Sequence, residues 1–154
     1  ILQVKGLAQS QLECLDALLK LRQICCAPSL LNLESTKTIQ ASAKLEYLMQ
    51  VIPEMLEEGR KILVFSQFAK MLELIAKRLT KKKIEFSKLT GATRDRQEQI
   101  DSFQQGDKGV FLISLKVWSQ SELYDCLRHL YNHTTMFVSI CMSIKEILSE
   151  NINI

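Results

Sequence analysis

Apolar residues follow two different spacings along the first 116 positions, and the spacing separates helices from strands. The runs KILVFSQF at residues 61–68 and VFLISLK at residues 110–116 each hold a continuous apolar stretch that ends in a serine. Such runs are typical of strands that are buried on both faces of a parallel sheet. Between them, apolar residues recur at helical spacing from Phe68 to Leu79. This pattern predicts an amphipathic helix over residues 67–83.

The other segments of this region complete an alternation of strands and helices. The pattern predicts a short strand at residues 84–87, a helix at residues 95–103 and a strand at residues 110–114. This β-α-β-α-β order predicts an α/β fold with a parallel sheet covered by helices on both faces. Because parallel strands end at one edge of a sheet, the polar turns that follow them should share that edge.

Two helices are predicted before the first strand. Leucines at helical spacing indicate a helix over residues 9–26, which Pro28 ends. The polar residues 32–41 predict a loop, and a second helix begins near Ser42. Pro53 should interrupt and kink this second helix, and Gly59 fits the left-handed backbone position that closes it.

Size and composition indicate one domain with an ordinary core, since the chain has 154 residues and is 47% hydrophobic. Five cysteines show no framework spacing and are expected to be reduced thiols. No stretch reaches the roughly 18 apolar residues of a membrane span, and the start lacks the layout of a signal peptide. We therefore expect a cytoplasmic protein without a membrane partner. The net charge of +3 permits a polyanionic partner without requiring one.

The pattern changes after Lys116. All five glycines and both prolines lie before this point, although further tight turns of an α/β domain would need them. We predict a divergent and mainly helical tail, and for residues 137–148 we leave a helix or a strand open. The chain thus divides into a helix with a linker (residues 1–41), an α/β core (residues 42–116) and the tail (residues 117–154).

Four blocks of sequence resemble the second motor lobe of the Swi/Snf-type DNA translocases of helicase superfamily two. The first three are LLKLRQICCAPSLL at residues 18–31, SAKL at residues 42–45 and KILVFSQF at residues 61–68. The fourth is LTGAT at residues 89–93 with Arg96, Ile100, Asp101 and Phe103, followed by VFLISLK at residues 110–116. Each block alone is weakly specific, but their order and spacing are specific.

The resemblance implies a RecA-like lobe, incomplete at its C-terminal end, whose strand-end loops hold the phosphates of double-stranded DNA. In the family a partner lobe binds ATP and magnesium. The candidate DNA-binding residues on the matching positions are Ser66, Gly91, Thr93, Arg96, Ser114 and Lys116. Such contacts read no bases and depend on salt.

Each candidate also has a purely structural alternative. Gly91 lets backbone amides approach an anion closely, or simply satisfies a turn. Thr93 is placed to cap the following helix, and its hydroxyl could also reach a phosphate oxygen. Arg96 either pairs with Asp95 or Glu98 or faces the nucleotide cleft. The lysines at residues 81–83 are interpreted as a solvated helix end, with a DNA track as the alternative.

Several motifs of a complete motor are missing from the sequence. It contains no G-x-x-x-x-G-K-[ST] loop and no acidic pair at a strand end to hold magnesium, so no catalytic residue is predicted. After Lys116 the family continues with a glycine-rich turn and an arginine motif, whereas this chain continues with VWSQS and has only Arg128 beyond it. A shifted reading frame would explain this break, and the encoding nucleotide sequence would test that hypothesis.

These observations predict a fragment of an ATP-driven DNA translocase that is inactive alone, and the start at Ile1 rather than Met fits a fragment. If the parent protein is bacterial, as the style of its sequence suggests, the fragment is expected at the nucleoid. The alternative is a non-catalytic interaction fragment, in which apolar residues 136–148 cover the sheet edge or dock onto a partner, or a non-functional gene product.

The tail contains a spacing that resembles part of a zinc site. Cys126, His129 and His133 have C-x2-H-x3-H spacing, but a fourth ligand would have to be Cys141 or come from elsewhere. The sequence has no paired C-x2-C motif, and we predict no metal site.

Overall fold

The computed structural model describes residues 7–31, 33–37, 39, 42–117 and 135–139. Helices and strands alternate through most of this part of the chain. In chain order they are α1 (Leu7–Cys26), α2 (Glu34–Lys37), α3 (Ala43–Glu57), β1 (Lys61–Ser66), α4 (Ala69–Lys81), β2 (Phe86–Leu89), α5 (Arg96–Gln104), β3 (Val110–Ser114) and β4 (Thr135–Ser139). Short 3-10 helices at Pro28–Leu30 and Leu115–Val117 follow α1 and β3.

The strands form one sheet in the order β2-β3-β1-β4, and each neighbouring pair is parallel. The predicted parallel sheet is therefore confirmed, and the predicted helices and the first three strands have boundaries within two residues of the observed ones. Sequence spacing located these elements because their apolar residues follow the period of the element they build.

Two hydrophobic layers cover the two faces of the sheet. On one face, alternate residues of β1 and β3 pack with α3 and α4 around Ile52, Met71 and Ile75, all of which are fully buried. On the other face, Leu63, Phe65, Phe111 and Ile113 pack with Leu89 and with Phe103 of α5. The rings of Phe103 and Phe111 lie 5.2 Å apart. Both faces are thus closed, as the continuous apolar strands predicted.

The ends of α3 agree with the sequence, but its middle does not. Ser42 is the N-cap: its hydroxyl accepts a hydrogen bond from the Leu45 amide at 3.3 Å and donates one to the Cys26 carbonyl at 2.7 Å. Gly59 closes the helix with a φ of 73°, which confirms the predicted left-handed position. The predicted interruption at Pro53 is wrong, since α3 continues through this residue to Glu57.

Two segments differ from the pattern-based prediction. Residues 34–37 of the predicted loop form the single turn α2, in which the Thr36 hydroxyl donates to the Leu31 and Leu33 carbonyls, each at 2.9 Å. In the predicted helical tail, residues 135–139 instead form the strand β4. The helix prediction is wrong for these five residues. The strand that the sequence left open as an alternative is confirmed for residues 137–139. Residues 118–134 and 140–154 lie outside the described residues.

The strand β4 pairs with β1 from Lys61 opposite Thr135 to Phe65 opposite Ser139. This pairing covers the edge of β1. The alternative of an interaction fragment expects residues 136–148 to cover the sheet edge, and β4 includes the start of that segment. A parallel partner lies far away in sequence, so local spacing carries no signal for such a strand. In the described part of the chain, no helix is long and apolar enough to cross a membrane.

Candidate nucleic-acid interface

The first three strands end at one edge of the sheet, which we call the carboxyl rim. Ser66, the last residue of β1, lies opposite Ser114, the last residue of β3. Leu89 at the end of β2 lies opposite Ile113, one residue earlier in β3. The turns that carry Ser66, Gly91 and Ser114 therefore leave the sheet at the same level and on the same edge.

The serines of the carboxyl rim are buried rather than open to solvent. Ser66 is 0% exposed and Ser114 is 2% exposed. The Ser66 hydroxyl accepts a hydrogen bond from the Phe68 amide at 3.1 Å and donates one to the Phe68 carbonyl at 3.3 Å. This side chain closes the turn between β1 and α4, so its observed role is to shape the rim.

The loop after β2 is held closed by Thr93. Its hydroxyl accepts a hydrogen bond from the Thr90 amide at 2.9 Å and donates one to the Lys88 carbonyl at 3.4 Å, and its amide donates to the Thr90 carbonyl at 3.0 Å. The predicted capping role is wrong, because the N-cap of α5 is Asp95, whose side chain makes no capping bond. Thr93 instead fixes the shape of residues 90–93.

Gly91 lies exposed in this loop. Among the described glycines only Gly59 has a positive φ, so the backbone angle at Gly91 is one that other residues also adopt. The turn therefore does not require glycine for its conformation. The remaining property of glycine at this position is the absence of a side chain, which leaves the neighbouring amides accessible to a ligand.

Three cations stand on the carboxyl rim without an ion-pair partner in the described part of the chain: Arg94, Arg96 and Lys116. All three are exposed. Of the two alternatives for Arg96, the pairing with Asp95 or Glu98 is not observed there, although both acids are close in sequence and reduce the local positive potential. Arg94 was not among the predicted residues; its place between Thr93 and the start of α5 was the available signal.

Lys61 holds the C-terminal end of α5 in place. Its ammonium group donates hydrogen bonds to the carbonyls of Phe103, Gln104 and Gly106 and lies 5.2 Å from the centre of the Phe103 ring. Lys61 is the first residue of β1, so the C-terminus of α5 is held at the edge opposite the carboxyl rim. The N-terminus of α5, with its partial positive charge, consequently points to the rim.

A hydrogen bond connects α1 to the carboxyl rim. The Arg22 guanidinium donates to the Gln67 side-chain oxygen at 2.7 Å, across 45 residues of sequence. Gln67 directly follows β1, so the contact joins two of the family-like blocks, those at residues 18–31 and 61–68. Sequence reasoning identified both blocks but not their contact.

No group of three side chains suited to a metal ion occurs among the residues that the structure describes. Cys126, His129 and His133, which carry the zinc-like spacing, lie outside them.

Comparison with known proteins identifies the family. The helicase conserved C-terminal domain matches residues 43–149, and this chain belongs to that family. Proteins to which it is similar include ones named as SWI/SNF-related or SWI2/SNF2. The match extends 33 residues beyond Lys116, so the change in sequence pattern there does not end the similarity.

Two proteins of similar sequence show the extent of the similarity. The chain is 42% identical over 78 residues, or 49% of its length, to the ATP-dependent helicase fft2 of Schizosaccharomyces pombe. It is 28% identical over 130 residues, or 75% of its length, to the CHD3-type chromatin-remodeling factor PICKLE of Arabidopsis thaliana. These alignments cover 6% and 9% of the two relatives, so the chain spans less than a tenth of either protein.

A solved structure shows the same fold. The SWI2/SNF2 ATPase C-terminal domain of Sulfolobus solfataricus superposes with a TM-score of 0.66 and 23% identity, over 99% of this chain and 74% of that one. The fold is thus the RecA-like second lobe, as the sequence blocks implied.

Proposed function

We propose that this chain acts as the second motor lobe of a DNA translocase and holds the sugar-phosphate backbone of double-stranded DNA on its carboxyl rim. The observation that carries the proposal is the common edge at which β1, β2 and β3 end, combined with the exposed cations Arg94, Arg96 and Lys116 on that edge, which have no ion-pair partner among the described residues. Membership of the helicase C-terminal family supports the same role.

Two kinds of residue have different roles on the carboxyl rim. Ser66 and Thr93 use their hydroxyls to hold the turns in shape, and the exposed Gly91 leaves space for a phosphate near the backbone amides. The cations then supply the attraction. Arginine suits this task because its guanidinium can donate two hydrogen bonds to one phosphate.

Contacts of this kind do not read the base sequence. Binding by the lobe alone should therefore be weak, with a dissociation constant of about 10⁻⁴ to 10⁻⁶ M at physiological salt, and should weaken as salt is raised. A modest net charge of +3 is consistent with a local rather than a general attraction for DNA.

The lobe is proposed to need a partner that binds ATP and magnesium. The sequence lacks a Walker loop, so hydrolysis would depend on a first lobe that closes on this one. Two-lobe closure would move the carboxyl rim along the DNA backbone. Alone, the chain should show no ATPase activity, with or without DNA.

Fluorescence anisotropy with a labelled 25-base-pair duplex tests the DNA-binding proposal. We expect equal affinity for duplexes of unrelated sequence and a linear fall of log K with log salt concentration. A phosphate-release assay on the same samples tests the absence of ATPase activity. Affinity that persists unchanged at high salt, or that depends on sequence, would contradict the proposal, as would ATP turnover by the isolated chain.

A non-catalytic interaction fragment is the second candidate. It is favoured by α1, whose leucines are exposed although the sheet itself is closed on both faces. Size-exclusion chromatography with light scattering separates the candidates: a defined oligomer that does not bind DNA favours interaction, and a DNA-binding chain favours the motor lobe.

A further inference from the structure

Gln67 stands at the carboxyl rim between two residues that shape the fold. Before it, Ser66 closes the turn after β1, and after it, Phe68 is the N-cap of α4. Gln67 is half-buried, and its side chain makes one hydrogen bond among the described residues, to Arg22. The turn and the helix thus form without the Gln67 side chain, which is available for a further contact at the rim.

The contact with Arg22 fixes the orientation of the Gln67 amide group. A guanidinium carries only N–H donors, so it binds the amide oxygen and not the amide nitrogen. The amide of an unrestrained glutamine has two roughly equivalent orientations, in which oxygen and nitrogen exchange places. Because Arg22 holds the oxygen at 2.7 Å, Gln67 keeps its nitrogen on the side away from the guanidinium.

This nitrogen carries two N–H donors that have no acceptor among the residues that the structure describes. Phosphate oxygens are acceptors only, and side-chain amides are among the groups that bind them in protein–DNA complexes. An amide turned the other way would present an oxygen, which repels a phosphate. The orientation that Arg22 selects is therefore the one that suits an anion at the rim.

We propose that Gln67 donates a hydrogen bond to a phosphate of the DNA backbone, and that Arg22 is the positioning residue that holds its amide in the donating orientation. The proposal rests on the proposed function, because it adds a contact to the same carboxyl rim. It also connects α1 with DNA binding. Arg22 lies 45 residues before Gln67 and outside the α/β core, yet it acts on the turn that follows β1.

Salt dependence separates positioning from a direct contact. A hydrogen bond from the neutral Gln67 side chain releases no counterion, so its loss lowers the affinity and leaves the slope of log K against log salt unchanged. The same holds for Arg22 if it acts only through Gln67. If Arg22 instead bound a phosphate itself, its removal would reduce the slope by about 0.9.

Fluorescence anisotropy of the full chain with the labelled duplex measures both quantities. Gln67→Met should weaken binding about tenfold, as expected for the loss of one hydrogen bond to a charged group. Arg22→Met should weaken it about fivefold, because the Gln67 side chain regains rotational freedom. The double variant should bind no more weakly than Gln67→Met, since Arg22 then has no amide to position. Arg22→Lys keeps a donor for the amide oxygen and should recover part of the loss.

Lys20→Met is the matched control, because it also removes an exposed positive charge from α1. Lys20 pairs with Asp16 of the same helix at 2.6 Å and makes no contact with the rim. We expect this variant to bind DNA like the parent chain. Urea unfolding verifies that all variants are folded under the conditions of the binding measurement.

Nitrogen-15 NMR supplies a signature that a purely structural contact would not give. The side-chain NH₂ signals of Gln67 are identified by their absence in Gln67→Met. On addition of the duplex they should shift and exchange more slowly with water, because the donors gain an acceptor. In Arg22→Met the same change should be smaller, since the amide is then distributed over both orientations.

Three results would refute the proposal while the parent chain still binds DNA. Unchanged affinity in Gln67→Met would remove the phosphate contact, and a slope reduced by about 0.9 in Arg22→Met would make Arg22 itself the phosphate ligand. Gln67 signals that do not respond to the duplex would make the pair a structural contact only. A parent chain that does not bind the duplex would instead refute the proposed function, and this contact with it.

Discussion

The ammonium group of Lys82 donates a hydrogen bond to the backbone carbonyl of Met49, 2.7 Å away. In a regular helix this carbonyl would accept from the amide of the residue four positions later, which is Pro53 and has no amide hydrogen. Lys82 therefore supplies the donor that Pro53 lacks. This contact explains how α3 continues through a proline and how α4 is held against α3.

Removing this donor should destabilise the fold only while Pro53 is present. We expect Lys82→Met to lower the free energy of unfolding by about 1 kcal/mol, since the Met49 carbonyl loses a charge-assisted bond at a partly exposed site. In the Pro53→Ala background the helix supplies its own donor, so the same substitution should cost much less. Urea unfolding of the four proteins gives the coupling energy.

Lys81→Met is the control for the loss of one positive charge from the same helix end. It should change stability by less than about 0.5 kcal/mol, as for most exposed positions. Equal effects of Lys82→Met in the two backgrounds would show that the contact does not replace the missing amide. The contact also removes Lys82 from the DNA track considered for residues 81–83.

The helices α3 and α4 end in the same hydrogen-bonded motif with different residues at the left-handed position. Gly59 has a φ of 73° and Lys83 a φ of 58°. In each case two amides bond back into the last turn: those of Gly59 and Arg60 in α3, and those of Lys83 and Ile84 in α4. A lysine in this conformation is strained, because its Cβ crowds the backbone.

Exchanging residues at these two positions should therefore have opposite effects. Lys83→Gly should raise the free energy of unfolding by about 0.5 kcal/mol, since relief of strain exceeds the added freedom of the unfolded chain. Gly59→Ala should lower it by about 1 kcal/mol through backbone strain alone, because a Cβ there meets no atom within 4 Å. Urea midpoints measure both, and a destabilised Lys83→Gly protein would be incompatible with this explanation.

The two helix ends also show what sequence can and cannot indicate. Gly59 was predicted because glycine after an apolar helical period is the common signal for the left-handed position. Lys83 gave no signal, since lysine rarely adopts this conformation. Likewise, the order of strands predicted that Ser66 and Ser114 share one edge. It could not indicate that both would be buried. For Ser66 the local turn decides this, since its hydroxyl bonds to the Phe68 backbone.

The loop after β2 gives a second example. Threonine is a common N-cap residue and Thr93 is predicted as one, yet α5 begins three residues later and the Thr93 hydroxyl bonds to Thr90 and Lys88 instead. Threonine hydroxyls serve caps and turns equally well, so composition alone does not separate the two roles. For β4 the sequence leaves a strand open only as one of two alternatives from residue 137 onward, because its partner β1 is about 70 residues away and only the assembled sheet selects the strand.

Buried serine hydroxyls on the sheet should differ in their effect on stability. Ser87 of β2 is fully buried, and its hydroxyl has no hydrogen-bond partner in the structure as described. Ser87→Ala should therefore raise the free energy of unfolding by up to about 1 kcal/mol, because an unpaired buried polar group is removed. Ser66→Ala should lower it by about 1 kcal/mol, since the Phe68 amide loses its acceptor.

Thermal and urea unfolding of the two alanine variants compare their free energies of unfolding. Both variants remove the same hydroxyl group, so the change in side-chain volume is the same. Both serines are 0% exposed, so burial does not distinguish them. A loss of stability in Ser87→Ala as large as that in Ser66→Ala would mean that the Ser87 hydroxyl has a partner after all.

If the carboxyl rim holds DNA, Arg94 should contribute one phosphate contact. It is exposed, it has no ion-pair partner in the described part of the chain, and the bonds of Thr93 fix the backbone beside it. Arg94→Ala should weaken duplex binding equally for all sequences and reduce the slope of log K against log salt by about 0.9, the value for one lost phosphate contact.

Arg60→Ala is the matched control, because Arg60 is also an exposed arginine but precedes β1 at the opposite edge of the sheet and pairs with Glu58 at 2.8 Å. Both variants lose the same charge, so an effect of net charge alone would change the two slopes equally. A contact at the rim changes only the slope of Arg94→Ala. Equal slopes for the two variants, in a chain that does bind DNA, would place the phosphate contacts away from the loop after β2.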